Sequence, residues 1–382
     1  MSLEAESNPE KVNLPSARQP TPVLKLLCMG MAAAVLAATL WPFNPFPKNR
    51  VYWLEKQNGL RFAGKGIVWR AAPFPVNSFK PETSCTLQVV IWPAVTGEVH
   101  TFLNFYSGKN KPQFELLQYL DSVLLFGTIR DPNGRLRRVE LNADHVLRTE
   151  QPSFLTFTSG PRGTTIYMNG KIVEHANWYR LSLVNFQGDL ILGTSPVDYD
   201  TWSGKFLGLG IFSKELSPAE IQRSFEYWQE TGKMQGGVEL GTIANYSFGE
   251  RNGSSAKDDT GAAPALSIPI TYFIPYKPML KPFWLEYSPN RNYVIDLIRN
   301  VAGFMPLGFL LGAYFSRKTG WPKAILAVML YGGLLSFTIE VLQTFIPERN
   351  SGTTDIFTNT AGAILGAIAW KIGSETLKNM GT

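Results

Sequence analysis

Apolar residues follow two different periods along this chain. Near both ends they form long, nearly uncharged runs, whereas in the middle they alternate in short segments between turn residues. Residues 1–22 are polar and hold Pro9, Pro15, Pro20 and Pro22, which predicts a disordered cytoplasmic lead-in. No charge occurs from Leu26 to Pro47, enough for a helix across about 30 Å of hydrocarbon, placed at 23–43. The small residues around Ala37 and Ala38 also fit a cleaved signal peptide. The long lead-in and the Trp41-Pro42-Phe43 boundary favour a retained anchor. After an aromatic and proline-rich linker, 276–298, three further runs predict helices at about 299–316, 324–345 and 354–371. Gly308 and Gly312 stand in the GxxxG relation, as do Gly362 and Gly366, a spacing that lets helices approach closely in lipid.

Residues 50–275 contain no such run. Segments such as CTLQVVIW, HTFLNFY, FELLQYL, SVLLFGTI and KFLGLGIF read as strands bounded by turns. Met168-Asn169-Gly170-Lys171 places Asn-Gly between two of them, a strong hairpin signal. Ser217-Pro218-Ala219-Glu220 supplies an N-cap, a first-turn proline and a capping-box Glu for one helix. About ten strands with one helix predict an all-β jelly-roll sandwich. The fold class is therefore a four-span α-helical membrane bundle joined to that sandwich.

Composition narrows the chemistry. Of 382 residues, 45% are hydrophobic, 13% aromatic and only 17% charged, which excludes disorder of the whole chain and fits membrane spans averaged with a polar domain. Cys28 lies in an apolar run and Cys85 in the polar domain, so no disulfide is expected between them. The isolated His100, His145 and His175 give no zinc spacing. The net charge of +6 is scattered, with no basic patch interleaved with aromatics, which argues against a nucleic-acid partner. Lys11, Arg18, Lys25, Arg317, Lys318, Lys323, Lys371 and Lys378 put both termini and the 317–323 loop inside; the sandwich and the Arg349 loop then lie outside. The expected location is a membrane crossed several times, with membrane lipid as one partner.

The run GDLILGTSPVDYDTWSGKFLGLGIFSKELSPAEIQRSFEYWQ resembles the closing half of laminin G-like, concanavalin A-like domains, through Leu192-Gly193, Trp202-Ser203-Gly204 and Leu216-Ser217. The YMNGK hairpin and YSFGERNGSSAKDDTG are similar to that family as well. The resemblance implies a lectin-like sandwich and a family whose loops bind glycans, proteins or calcium. Asp198 and Asp200 beside Trp202 are the candidate calcium ligands, and Asp258-Asp259 form a second acidic pair; solvated turn aspartates are the competing reading for all four. Beyond calcium, no cofactor is expected. Trp202 is expected in the core, while Tyr106, Tyr119 and Trp178 are candidate sugar-stacking aromatics.

Ionisable residues inside spans usually mark function or tight pairing. Asp296 and Asn300, Glu340 and Gln343, and Asp355 and Asn359 are each spaced to lie on one helix face. At about 1.5 Å per residue all three pairs, with Arg349 in the connecting loop, fall near the outer leaflet boundary and form a candidate polar pocket. These residues, with Phe304, Pro306-Leu307-Gly308, Ser336, Gly362 and Gly366, resemble the VanZ-like membrane family, into which the sandwich is inserted after the first helix. That resemblance implies a bacterial inner-membrane location and a link to the cell envelope and to glycopeptide-antibiotic resistance of the teicoplanin type, without fixing a reaction or catalytic residues. Two functional readings follow. In one the sandwich captures a saccharide or glycoprotein, and the bundle is its anchor. In the other a membrane enzyme acts on an envelope lipid or lipid-linked saccharide, with Glu340 or Asp355 as base and Arg349 holding an anion. The bland alternative is that the polar residues only tie helices together.

Overall fold

The computed structural model describes residues 21–70, 84–108, 112–130 and 135–380; the predicted lead-in, 1–20, lies outside them. The chain divides into two compact units, one of residues 46–277 and one of residues 21–45 with 278–380.

The first unit is the sandwich. Its strands, numbered along the chain, form two antiparallel sheets. One runs β1 (Val51–Trp53), β2 (Leu60–Ala63), β13 (Ser203–Phe212), β4 (Cys85–Pro93), β9 (Ser153–Gly160), β10 (Gly163–Met168) and β11 (Lys171–Ala176), with β14 (Thr242–Tyr246) also on β13. The other runs β15 (Ser255–Ala256), β16 (Leu266–Ser267), β3 (Val68–Arg70), β12 (Asp189–Leu192), β5 (Val99–Tyr106), β6 (Phe114–Tyr119), β7 (Ser122–Arg130) and β8 (Leu136–Ala143). Inward positions fill one core in which Phe62, Phe102, Phe206 and the fully buried Trp202 meet with ring centroids 6.0–6.5 Å apart. The predicted Asn-Gly turn joins β10 to β11, with Asn169 at φ +52° and Gly170 at +79°. Both values are left-handed, as a type I′ turn between twisted strands requires. A helix, Pro218–Thr231, starts where the capping box placed it: the Ser217 side chain accepts from Glu220 N–H and the Glu220 carboxylate accepts from Ser217 N–H.

The Trp-x-Gly signature has a packing cause. A Cβ on Gly204 would strike the Trp202 indole, so glycine there is what lets the ring lie flat in the core. The indole N–H, buried with it, donates to Gln118 Oε1 at 2.8 Å. The start and end of the sandwich lie side by side. Asn49 N–H donates to Ile270 O at 2.9 Å and Tyr272 N–H to Pro47 O at 2.8 Å. The Asn49 side chain also donates to Ile67 O and Pro269 O.

The second unit is helical. With α2 assigned to the sandwich helix, it holds α1 (Pro22–Leu40), a short α3 (Phe283–Glu286), α4 (Arg291–Thr319), α5 (Trp321–Thr344) and α6 (Thr353–Met380). Three of these, α1, α4 and α5, are long and apolar enough to cross a membrane. The predicted fourth span, 354–371, falls inside α6, which is not among them. Asp355 and Lys371 bracket an uncharged stretch of roughly 22 Å within a helix of 28 residues, about 42 Å in all. The α6 helix packs closely on α4. A Cβ on Gly308 would collide with the Ala363 backbone, one on Gly362 with Val301 and one on Gly366 with Met305. One on Gly312 would come within 2.9 Å of Ala367 Cα. Both GxxxG pairs thus sit in a single seam where two helix backbones touch.

Candidate functional site

One end of the helical unit gathers most of the predicted polar residues, and each has an identifiable partner. Asn300 Nδ2 on α4 donates to Asp355 Oδ1 on α6 at 2.7 Å. Asn359 Nδ2 on α6 donates to Ser336 Oγ on α5 at 2.9 Å. On α5, Glu340 is buried and its Oε2 accepts the Gly352 N–H at 2.8 Å, holding the turn that leads into α6. Gln343 Nε2, one turn further along α5, donates to Thr39 O near the end of α1 at 3.0 Å, and Arg349 Nη2 donates to Trp41 O just beyond it. Together these bonds link α1, α4, α5 and α6.

Asp296 stands apart from this set. It is 64% exposed and pairs with Arg299 on its own helix at 3.2 Å. The spacing that put it on the Asn300 face is real, but it lies one turn earlier on α4, where its side chain is exposed. Its place beside the cluster is taken by Glu286, which lies in the predicted linker and carries no helical-spacing signal. Glu286 Oε2 accepts from both Thr354 N–H (2.9 Å) and Thr354 Oγ1 (2.5 Å), and so caps the start of α6. Carboxylates suit that position because the first N–H groups of a helix lack partners within it. The segment before Glu286 adds a short backbone pairing: Lys281 N–H donates to Ser351 O and Thr353 N–H to Lys281 O, both at 2.9 Å.

In the sandwich, the acidic candidates hold loops. Asp198 Oδ2 accepts from Ser195 Oγ at 3.4 Å, and Asp200 Oδ2 accepts from Thr101 N–H at 2.9 Å. Asp258 collects four donors, from Asn245 N–H, Thr260 Oγ1, Ala262 N–H and Ala263 N–H; Asp259 accepts from Ser247 N–H and Oγ. Among the described residues no three His, Cys, Asp or Glu side chains are grouped to hold a metal ion. Of the candidate stacking aromatics, Tyr119 and Trp178 are exposed, but Tyr106 is buried edge-on against Tyr276 from the following segment. A strand-end tyrosine read from sequence gave no sign of that cover.

One acidic group was missed. Glu115 on β6 is buried beneath Arg138, whose Nη2 donates to it at 2.6 Å, and Thr101 Oγ1 donates to its other oxygen at 2.9 Å. Burial outweighs both partners and pushes its carboxyl up to about 7; burial likewise pushes Asp200 up to about 6. Because their folded pKa values exceed the unfolded ones, Glu115 and Asp200 contribute stability that is fully present below about pH 4 and is lost as pH rises through 7. For Glu115 alone the change is on the order of 3 kcal/mol. Melting curves of the sandwich between pH 4 and 8 should slope downward, and Glu115→Gln, which mimics the protonated acid, should flatten the upper half. A wild-type curve that rises through this range would show the carboxyls to be charged and well paired in the fold.

The VanZ/LLP1 family model matches residues 238–374, and the model of the concanavalin A-like lectin/glucanases superfamily matches residues 71–222. Both resemblances read from the sequence are thus borne out. The chain carries a VanZ-like segment and a concanavalin A-like segment, and with its apolar helices it reads as a membrane protein. No curated protein matches it. Among solved structures, the CBM40 domain of the Ruminococcus gnavus IT-sialidase, bound to alpha2,3 sialyllactose, is 10% identical with a TM-score of 0.36 over 44% of this chain and 96% of its own. The receptor binding domain of botulinum neurotoxin C/D mosaic serotype is 14% identical with a TM-score of 0.34, over 47% of this chain and 45% of its own.

Proposed function

We propose that this is a multi-pass protein of the bacterial cytoplasmic membrane that displays a saccharide-binding sandwich on the outer side, with both termini inside. The VanZ-like unit is the anchor, and the proposed ligand is a cell-surface glycan or glycoprotein. The observation that carries this reading is where the bundle's polar side chains spend their bonds. Asn300–Asp355 and Asn359–Ser336 cross between helices, Glu340 and Glu286 hold the entry to α6, and Gln343 and Arg349 bind carbonyls at the end of α1. An enzyme using Glu340, Asp355 and Arg349 on a lipid-linked substrate would have to release these ties first. Recognition therefore falls to the sandwich, whose superfamily includes lectins.

The test uses the full chain in lipid nanodiscs on a glycan array, with and without calcium, beside Glu340→Gln. Saccharide binding that survives the substitution supports the anchor reading. Turnover of an envelope lipid that Glu340→Gln abolishes, with melting unchanged, would support the enzyme instead.

A further inference from the structure

Strand register lines up four side chains across the outer face of the first sheet. Tyr52 on β1 pairs with Arg61 on β2, Arg61 with Lys205 on β13, and Lys205 with Trp92 on β4. The two cations are therefore direct cross-strand neighbours, an arrangement of like charges that destabilises a sheet. Neither is offset by an acid: among the described residues Arg61 and Lys205 make no ion pair. Each is instead held by the aromatic at its end of the row. The Arg61 guanidinium lies 5.2 Å from the Tyr52 ring centroid and the Lys205 ammonium 3.7 Å from that of Trp92. Trp92 is itself fixed by its indole N–H, which donates to Thr149 O at 2.7 Å. A third cation, Lys48, approaches Tyr52 at 6.0 Å.

Beside the cations the sheet opens into a cleft of 370 Å³, within the size range of small-molecule sites. Its walls are Arg61, Trp92 and Lys205, and its floor is built of the small residues Ala63, Ser203 and Ala94. Two aromatic-backed cations that make no ion pair among the described residues, beside a floor of small residues, suit an anionic ligand. The planar fork of Arg61 fits a carboxylate in particular, and Lys205 adds a point charge.

We infer that this cleft is a binding site for a saccharide that bears carboxylates, with Arg61 and Lys205 as its anion-binding pair. The inference rests on the saccharide reading above and names the ligand class and the face that takes it.

The experiment uses the full chain in zwitterionic nanodiscs, titrated with oligomers of alginate (a polyuronate), with neutral dextran, and with vesicles containing phosphatidylglycerol. Alginate oligomers should bind and dextran should not, and rising salt should weaken the binding. Arg61→Gln and Lys205→Gln should each weaken it about tenfold, with melting of the sandwich unchanged. Arg61→Lys, which keeps the charge but loses the fork, should recover only part of the loss. Alginate binding that the double variant leaves intact, or dextran bound equally well, would overturn the anionic site while leaving a saccharide-binding sandwich in place. Loss in the double variant of vesicle binding alone, with no alginate bound, would reassign the row to a lipid headgroup and overturn the inference. Failure to bind any saccharide, here or on the array, would overturn the parent reading with it.

Discussion

Gly308→Leu should unfold the helical unit at far lower denaturant than the parent chain, by the equivalent of at least about 3 kcal/mol, because the new side chain meets the backbone of Ala363 rather than a movable side chain. Overpacking is tolerable where a neighbour can change rotamer. Here the neighbour is the α6 backbone, and only separation of α4 from α6 makes room. Separation would also stretch the Asn300–Asp355 bond that joins the same two helices. The matched control is Gly303→Leu on the same helix, where an added Cβ meets nothing within 4 Å; it should cost no more than about 0.5 kcal/mol. Unfolding by sodium dodecyl sulfate titration in detergent micelles, followed by circular dichroism, reads both. Equal tolerance of the two substitutions would show that the seam is looser than described.

The sandwich has its own point of greatest sensitivity at Trp202. Truncation to Ala removes the largest fully buried side chain, leaves a cavity among Phe62, Phe102 and Phe206, and strands the Gln118 carbonyl oxygen that accepted the indole N–H. Large aromatic truncations in cores cost about 3–5 kcal/mol, and the orphaned acceptor adds to that. The expected result is a sandwich largely unfolded at 37 °C while α-helical content is retained. Trp202→Phe keeps most of the volume and should lose far less. If Trp202→Ala instead melted like the parent but lost saccharide binding, the indole would be a stacking platform rather than a core residue.

Features set by nearby residues were legible in the sequence. The capping box at Ser217, the Asn169-Gly170 turn and the small-residue spacing at Gly308, Gly312, Gly362 and Gly366 each need only a few positions, and each stands where expected. The candidate pocket was legible in part: Asn300, Glu340, Gln343, Asp355 and Asn359 lie at one end of the helices, but i,i+4 spacing gives a face and not a depth, so Asp296 is found outside it. Glu286 escaped notice because its role comes from a strap that folds back on residues 351–354, a pairing that no local pattern encodes. Arg61 and Lys205 are separated by more than half the sandwich in sequence. Only the register of β2 on β13 makes them neighbours. Tyr106 was hidden for the same reason, since Tyr276 covers it from far along the chain, and Glu115 because strand pairing brings Thr101 and Arg138 onto it.

The paired ends of the sandwich bear on how such a chain can fold at all. A long insertion between two helices that must pack together would ordinarily hold them apart and add entropy to their encounter. Here residues 47–49 and 269–272 are zipped to each other, so once the sandwich has formed, α1 and α4 are connected by something that behaves as a short hairpin. Assembly of the bundle is then indifferent to the size of what was inserted, and one module can be exchanged for another of unrelated specificity wherever its first and last strands lie abreast.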